Sequence, residues 1–271
     1  MLKILIILLI ILSFYLIHKS YNMEGYSVKE FETILNNSNP NELINHDSKY
    51  QNIKIIEFDK NELNINKCLH LDDEMQFCDT DEYKYHETIT HFAISYIKHL
   101  KKVLIIGGGD CMTLREVMKY PDIEKVDMLE LDKDVISISN RYFNTNNYSN
   151  DPRVNIKIGD ANKNIDKINN VYDLIIIDTT EDSKNNSPID TYEFLKKCST
   201  KLNKNGILVK NGNNILNLHN LNRIFKHTEI IKYKTPIFDD KGQYYFILTS
   251  DNVDFKKAIK YKHNVKLKYY N

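Results

Sequence analysis

The chain has 271 residues, of which 42% are hydrophobic and 27% are charged, the composition of a globular protein with a packed core. Its 37 basic and 37 acidic residues give a formal net charge of +0, which argues against a general nucleic-acid binder because such proteins carry a basic surplus. The length predicts one large α/β domain with a small additional unit. Cys68 and Cys78 can in principle form a bridge, but free thiols are the expectation for scattered cysteines in an enzyme-sized chain.

An apolar segment opens the chain. Residues 4–12 are apolar without interruption, and residues 14–17 extend this run past Ser13. About 14 helical residues span roughly 21 Å, which is less than the ~30 Å hydrocarbon core of a bilayer. Residues 1–19 are interpreted as an uncleaved membrane anchor, because no small-x-small cleavage site follows them, with a cleaved signal peptide as the alternative.

The next two segments differ in pattern. Residues 20–47 are polar and rich in Asn, which predicts a linker. Residues 48–80 contain short runs that alternate or are apolar, such as 53–58 and 68–71, and these predict a small antiparallel β domain. A unit of this size is too short to be stable alone, so we expect it to pack on the domain that follows.

Residues 81–271 begin with a helical pattern and then alternate between strand and helix patterns, which predicts a mostly parallel sheet. The centre of this domain is the stretch 103–110, where four apolar residues precede three glycines and Asp110. The apolar run predicts a strand buried on both faces, and the glycines allow a ligand to approach the backbone. Alone, this turn is a weak signal, because it is not the G-x-G-x-x-G fingerprint of dinucleotide sites.

Acidic residues end the first four strands of this domain: Asp110, Glu130 with Asp132, Asp160 and Asp178. The carboxyl ends of parallel strands lie along one edge of the sheet, where open α/β folds bind their ligands. An acidic edge repels a pyrophosphate and favours a cationic or neutral ligand. Glu130, about 20 residues after the glycine turn, is placed to accept ribose hydroxyls. The pattern predicts a nucleoside such as S-adenosylmethionine or a relative with a sulfonium cation, whereas turn formation and helix capping are the structural alternative for these acids.

The position of Asp110 narrows the choice of ligand. Intact S-adenosylmethionine presents a carboxylate near the first glycine turn, and Asp110 would repel it. A decarboxylated ligand presents only an ammonium group there, which Asp110 can pair. This disfavours an S-adenosylmethionine-dependent methyltransferase, which stays as an alternative.

A set of motifs in this order resembles the polyamine aminopropyltransferase family, which includes spermidine synthase. These motifs are YQ at 50–51, LDDEMQ at 71–76, DEYKYHE at 81–87, VLIIGGGD at 103–110, LREV at 114–117, ELD at 130–132, DPR at 151–153, GD at 159–160, YDLIIID at 172–178 and KYYN at 268–271. The resemblance covers about residues 48–271. It implies a Rossmann-like, mostly parallel sheet of the class I S-adenosylmethionine-dependent transferase type, preceded by a small N-terminal antiparallel β domain.

The resemblance also implies a reaction in polyamine biosynthesis. The aminopropyl group of decarboxylated S-adenosylmethionine would pass to putrescine, giving spermidine and methylthioadenosine. The implied partners are a small diamine and the adenosyl sulfonium donor, with no metal, no permanently bound cofactor and no nucleic acid. The family often forms dimers or tetramers, so a homodimer is a further implied state. The implied donor-binding residues are Gln51, Gln76, Gly107, Asp110, Glu130, Asp160 and Ala161. The implied acceptor-binding residues are His86, Asp110, Asp178 and Glu181, with Asp178 as catalytic base and Tyr85 assisting it.

The chain departs from the family pattern mainly on the acceptor side. Cys111 and Met112 follow Asp110 where the family has two small residues, and we expect their side chains to narrow the donor pocket. Glu181 replaces an acceptor-binding aspartate in a loop that lacks the usual prolines and glycine, and Pro188 is a displaced counterpart. These departures keep open a second hypothesis, a catalytically impaired, nucleoside-binding protein that acts as a membrane-tethered partner. Because the donor is a cytosolic metabolite, we expect the tethered domain on the cytosolic face.

Overall fold

The computed structural model describes residues 28–145, 147–180, 187–212, 215–233 and 244–269. The apolar segment 1–19 and the implied acceptor residue Glu181 lie outside these ranges. Within the described ranges, no helix combines the length and the apolar character needed to cross a bilayer. This finding contradicts the predicted membrane location.

The N-terminal sheet has four antiparallel strands in the order β1-β2-β3-β4. Their bounds are β1 Asn41–Asp47, β2 Asn52–Glu57, β3 Lys67–Leu71 and β4 Glu74–Cys78. A helix before the sheet, α1 (Val28–Asn36), buries Phe31 and Leu35 against it. The predicted linker over 20–47 is therefore wrong in its described part, because residues 28–36 and 41–47 belong to this unit. Strand β1 contains no apolar run that would predict it, because it is an edge strand whose side chains are mostly exposed and polar.

A disulfide joins β3 to β4. Cys68 and Cys78 are directly opposite each other in the strand register, with 4.1 Å between their Cα atoms, and their sulfurs are bonded. The expectation of free thiols is wrong for this pair. It holds for Cys111 and Cys198, which are unpaired and buried.

The larger sheet has seven strands in the order β10-β11-β9-β8-β5-β6-β7. Strands β5 to β9 are parallel, whereas β11 is antiparallel to both of its neighbours, β9 and β10. The bounds are β5 Lys102–Gly107, β6 Lys125–Glu130, β7 Val154–Ile158, β8 Tyr172–Asp178, β9 Leu202–Asn211, β10 His227–Tyr233 and β11 Tyr244–Ser250. The predicted fold class, a mostly parallel sheet with a small antiparallel sheet before it, is confirmed.

Helices cover both faces of this sheet. They are α2 Glu82–Ile94, α3 Met112–Val117, α4 Lys133–Phe143, α5 Ala161–Asn164, α6 Tyr192–Thr200 and α7 Ile215–Ile224, with short 3-10 turns at Asn147–Asn150 and Ile165–Lys167. Strand β5 is buried on both faces as predicted: Ile105 joins the core on one side, and Leu104 and Ile106 join the core on the other. Burying each of these side chains stabilises the folded state by about 1.5–3 kcal/mol, so this strand is a rigid support for the glycine turn that follows it.

Two contacts fix the accessory parts to this sheet. The N-terminal sheet packs through Ile53 and Phe77 against Met112 of α3 and Val135 of α4, which closes it over the ends of the parallel strands. The C-terminal tail is held at Glu87 of α2, a fully buried carboxylate that accepts hydrogen bonds of 2.7 Å from the backbone N–H groups at positions 268 and 269. The last two residues of the KYYN tract lie outside the described ranges.

Candidate active site

A cavity of about 1000 Å³ lies between the carboxyl ends of the parallel strands and the N-terminal sheet. The predicted site residues within the described ranges all line it: Gln51, Gln76, Tyr85, His86, Gly107, Asp110, Glu130, Asp160, Ala161 and Asp178. These residues come from both sheets and from α2, so the fold brings together positions up to 127 residues apart. The N-terminal sheet supplies the roof, and the acidic strand ends supply the floor.

The glycine turn connects two parts of this floor. Gly107 has a φ of +82°, and a Cβ atom there would lie 2.1 Å from the backbone oxygen of Asp178. The next residue, Gly108, donates its N–H to that same oxygen at 2.7 Å. A side chain at position 107 would therefore displace β8 from β5. This sets the place of Asp178 relative to the turn, and it explains in physical terms why glycine stands there.

Asp178 ends β8 with its side chain in the cavity, where it is 8% exposed. The hydroxyl of Tyr85 donates to Oδ1 at 2.8 Å, and the hydroxyl of Thr113 donates to Oδ2. Burial and the nearby Asp110 raise the pKa of Asp178, although the positive charge of His86 and these two hydroxyls lower it. A carboxylate of raised pKa, held by two hydrogen bonds, is a suitable proton acceptor.

Asp110 and His86 lie beside Asp178. The Oδ1 atom of Asp110 accepts the backbone N–H of Met112 at 2.7 Å, and its Oδ2 atom lies 3.5 Å from Nε2 of His86. On its other side, His86 Nδ1 faces the backbone oxygen of Glu82 at 2.7 Å and the Glu82 carboxylate at 3.0 Å. Burial alone would lower the pKa of His86, but the Asp110 and Glu82 carboxylates raise it well above the ordinary value.

The side chains of His86, Asp110 and Asp178 offer atoms within 4.8 Å of one another, which is a spacing that metal ligands also use. An imidazole ligates a metal through a nitrogen that carries no proton. Both nitrogens of His86 face oxygen acceptors, which favours the doubly protonated ring. The chemistry of this cluster therefore suits an organic cation between Asp110 and Asp178 better than a metal ion.

Glu130 lies at the end of β6, 7% exposed, with its carboxylate against the glycine turn. A Cβ atom at position 109 would lie 3.0 Å from this carboxylate. As long as Glu130 keeps its place, the turn therefore accommodates glycine at position 109 and no larger residue. Burial raises the pKa of Glu130 to about 7, helped by Asp110, although a hydrogen bond from the backbone N–H of Asp132 opposes this rise. The carboxyl group is thus poised to change its charge near neutral pH.

Gln51 is held in place by Asp132, one of the acids predicted at the strand ends. Its side-chain N–H donates to Oδ2 of Asp132 at 3.2 Å, and Ser48 donates its hydroxyl to the same oxygen. Asp132 also caps α4 by accepting the N–H of Asp134 at 3.0 Å. One buried carboxylate therefore fixes a loop of the N-terminal sheet to the floor of the cavity.

The remaining predicted donor residues lie along the walls. Asp160 caps α5 by accepting the N–H of Asn162 at 2.9 Å, and Ala161 follows it as the first residue of that helix. Gln76 is on β4, where its side-chain N–H donates to the backbone oxygen of Glu74 at 3.0 Å.

The expected narrowing of the pocket by Cys111 and Met112 is wrong. Neither side chain lines the cavity: Cys111 packs in the core beneath the sheet, and Met112 packs between the two sheets. Cys111 has a φ of +64°, a left-handed conformation that turns its side chain away from the ligand space. Pro188 does line the cavity, together with Ser187 and Ile189, which agrees with its interpretation as a displaced loop residue.

Three further residues of this site were not predicted from the sequence. Thr113 donates to Asp178, while the buried Glu82 and the partly exposed Arg115 form an ion pair behind His86, with guanidinium–carboxylate distances of 3.0 and 2.9 Å. All three occur inside or next to the motifs quoted above, at 81–87 and 114–117. Their contacts depend on how α2 and α3 pack. Their position in or beside a motif was therefore the only sign in the sequence that they belong to the site.

Comparison with known proteins identifies the family. A family model described as the spermine/spermidine synthase domain matches residues 82–257. A polyamine aminopropyltransferase of Prochlorococcus marinus (strain MIT 9515) is 36% identical over 207 residues, which is 72% of this chain and 72% of that protein. A polyamine aminopropyltransferase of Alkaliphilus metalliredigens (strain QYMF) is 31% identical over 244 residues, 84% of each chain.

Solved structures give the same result for the fold. A spermidine synthase in complex with the transition state analogue AdoDATO superposes with a TM-score of 0.77 at 29% identity, over 85% of this chain and 82% of that chain. The spermidine synthase of Thermotoga maritima superposes with a TM-score of 0.76 at 29% identity, over 85% and 81% of the two chains. The resemblance seen in the motifs and the predicted transferase class are confirmed. With its acidic cavity between two sheets and these relatives, the chain belongs to the spermine/spermidine synthase family of transferases.

Proposed function

We propose that the protein transfers the aminopropyl group of decarboxylated S-adenosylmethionine to putrescine and releases spermidine and methylthioadenosine. The observation that supports this best is the pair of carboxylates, Asp110 and Asp178, in one cavity with Tyr85 and Thr113 bound to Asp178. Two acids side by side suit two amines, one on the donor and one on the acceptor. The AdoDATO complex of a relative agrees with an adenosyl ligand in such a cavity.

The proposed reaction is a displacement at carbon. The attacking amine nitrogen of the acceptor forms a bond to the aminopropyl carbon while the carbon–sulfur bond breaks, and the electron pair stays on sulfur as methylthioadenosine leaves. As this bond forms, the attacking nitrogen passes one of its protons to Asp178. A sulfonium is already a good leaving group, so the protein contributes mainly positioning and a proton acceptor.

The donor would be held at both of its ends. Glu130 would accept the ribose hydroxyls, and Gln51, Asp160 and Ala161 would contact the rest of the nucleoside. Asp110 would pair with the ammonium of the aminopropyl chain, next to the bare backbone at Gly107, and Gln76 would contact the donor from the roof.

The acceptor would lie against the opposite wall. His86, Asp110 and Asp178 would contact its reacting end, with Tyr85 keeping Asp178 in place. Glu181 would bind its far amine by resemblance to the family. Acids along this wall would also attract the protonated far amine of the acceptor.

The direct test is turnover by the purified chain. Given decarboxylated S-adenosylmethionine and putrescine, the protein should form methylthioadenosine and spermidine in equal amounts, measured by mass spectrometry. Methylthioadenosine binding without product from putrescine or other diamines would overturn this proposal in favour of an impaired relative. Methyl transfer from intact S-adenosylmethionine would favour the methyltransferase alternative.

Donor binding should depend on pH through Glu130. Because its pKa is raised to about 7, Glu130 is mostly protonated below that pH and then loses its ability to accept two ribose hydroxyls. We expect methylthioadenosine to bind about tenfold more weakly at pH 6 than at pH 8, measured by calorimetry. Glu130→Gln should bind weakly at both pH values, without this slope. An unchanged affinity of the wild-type protein over the interval would count against the role of Glu130.

A further inference from the structure

The ion pair behind His86 has no place in the reaction described above. Arg115 of α3 makes two hydrogen bonds to the Glu82 carboxylate, from Nη1 to Oε1 at 3.0 Å and from Nη2 to Oε2 at 2.9 Å. The Glu82 side chain is 6% exposed. A carboxylate held by a bidentate guanidinium is ionised. Burial alone would raise the pKa of Glu82, but the hydrogen bonds from His86 and Arg115 lower it to about 2.

The surroundings of the His86 ring define its charge. The Nδ1 atom faces two acceptors, the backbone oxygen and the carboxylate of Glu82, so it carries a proton. The Nε2 atom faces Oδ2 of Asp110 at 3.5 Å. A neutral ring with its proton on Nδ1 would direct the Nε2 lone pair at that carboxylate, which is repulsive. A proton on both nitrogens removes the conflict, and the ring is then an imidazolium.

The other elements packed against His86 also favour the imidazolium form of its ring. Phe77 of β4 places its ring edge-on at 6.0 Å, and the Tyr85 ring lies at 5.0 Å. Asp178 of β8 adds a third negative charge, after those of Glu82 and Asp110, that interacts with His86. Arg115, the nearby cation, acts on His86 through Glu82, to which it is bound. The groups facing the ring are thus mainly acceptors and anions.

We propose that Arg115 and Glu82 are positioning residues that keep His86 as a permanent imidazolium, whose charge favours the neutral, nucleophilic form of the attacking amine. This inference rests on the proposed aminopropyl transfer. His86, Asp110 and Asp178 together carry one net negative charge, which the donor's ammonium neutralises, and the sulfonium then adds a positive charge. A second ammonium at the attacking position would be repelled by this surplus. The amine therefore reacts as the free base, and Asp178 takes one of its protons while the bond forms.

The charge of His86 can be measured without any turnover. In protein labelled with ¹³C at histidine Cε1, the His86 signal is identified by its absence from His86→Gln. We expect this signal in the wild-type protein to keep the imidazolium position from about pH 5 to pH 9, whereas a free histidine titrates near pH 6.5. In Glu82→Gln it should titrate within this range. A wild-type His86 that loses its proton below about pH 8 overturns the inference, even if Glu82→Gln does not fold.

The effect on the amine appears in the pH profile of a single turnover. In Glu82→Gln the midpoint of the rise in rate should move to higher pH by about one unit, so that the rate falls roughly tenfold near neutral pH and recovers in alkali. Glu124→Gln is the matched control, because this exposed glutamate forms a surface ion pair with Lys101. A Glu82→Gln profile that is lowered equally at every pH would overturn the inference, since it would indicate a structural role only. If neither the wild-type protein nor any variant forms product, the proposed function fails. The histidine titration still decides the charge of His86 in that case.

Discussion

Replacing Asp178 by Asn is expected to slow methylthioadenosine release by about 100- to 10,000-fold at neutral pH, the range associated with loss of a positioned acid or base. Asn keeps the size of the side chain, its amide oxygen can still accept one of the hydroxyls of Tyr85 and Thr113, and its NH2 group can donate to the oxygen of the other. It cannot take the proton that the attacking amine loses while the carbon–nitrogen bond forms. The loss should appear in the rate of a single turnover followed by chromatography, with little change in methylthioadenosine affinity.

A stability measurement separates this effect from unfolding. Burial and the neighbouring Asp110 raise the pKa of Asp178, so the folded protein binds this proton more tightly than the unfolded chain does. The contribution of Asp178 to stability therefore decreases as pH rises from the unfolded pKa, about 3.9, through the raised folded value. Asp178→Asn should be at least as stable as the wild-type protein in urea at pH 7.

Asp166→Asn is the matched control for this substitution. Asp166 has a half-exposed side chain paired with Lys197 and does not line the cavity, so the same change of charge there should leave the rate unaltered. An Asp178→Asn protein with a rate within about threefold of the wild-type value would refute the assignment of the base.

The second large effect concerns the choice of donor. The wild-type protein should bind decarboxylated S-adenosylmethionine at least about 100-fold more tightly than intact S-adenosylmethionine, because Asp110 pairs with an ammonium in one case and meets an extra carboxylate in the other. Asp110→Asn should lose most of this preference, mainly through weaker binding of the decarboxylated compound. Calorimetric titration of both proteins with both compounds gives the four affinities required.

Asp134→Asn provides the control for Asp110. Asp134 is in the first turn of α4, pairs with His46 and does not line the cavity, so its loss should leave the preference intact. If the wild-type protein bound the two donors equally, or preferred the intact one, then Asp110 would not select the donor. The alternative of a methyltransferase would then be the better explanation.

Several features of this site follow from local sequence. The run Val103–Ile106 had to form a strand buried on both faces, because no polar residue interrupts it, and its residues are at most 1% exposed. Acids at the ends of consecutive parallel strands had to converge, because parallel strands share one carboxyl edge. These two facts alone place Asp110, Glu130 and Asp178 in one cavity.

Other features depend on the packing of distant segments. The bridge between Cys68 and Cys78 requires the register of β3 on β4, which spacing in the chain does not specify. The direction of the Cys111 side chain depends on a single left-handed residue, and the family pattern suggested the opposite outcome. The α1 helix was assigned to a linker because its buried face consists of few residues within a polar segment.

By itself, the sequence determined the alternation of strands and helices in the larger domain, the acidic edge of its sheet and the family. Only the tertiary structure decided which groups touch Asp178 and His86: Thr113, Glu82 and Arg115 come from α2 and α3, whose side chains meet through helix packing over the sheet. The physical reason is that the two kinds of information act over different distances. Backbone preference and hydrophobic periodicity act over a few residues along the chain. Hydrogen bonds and ion pairs act over a few ångströms in space, between residues that the fold alone makes neighbours.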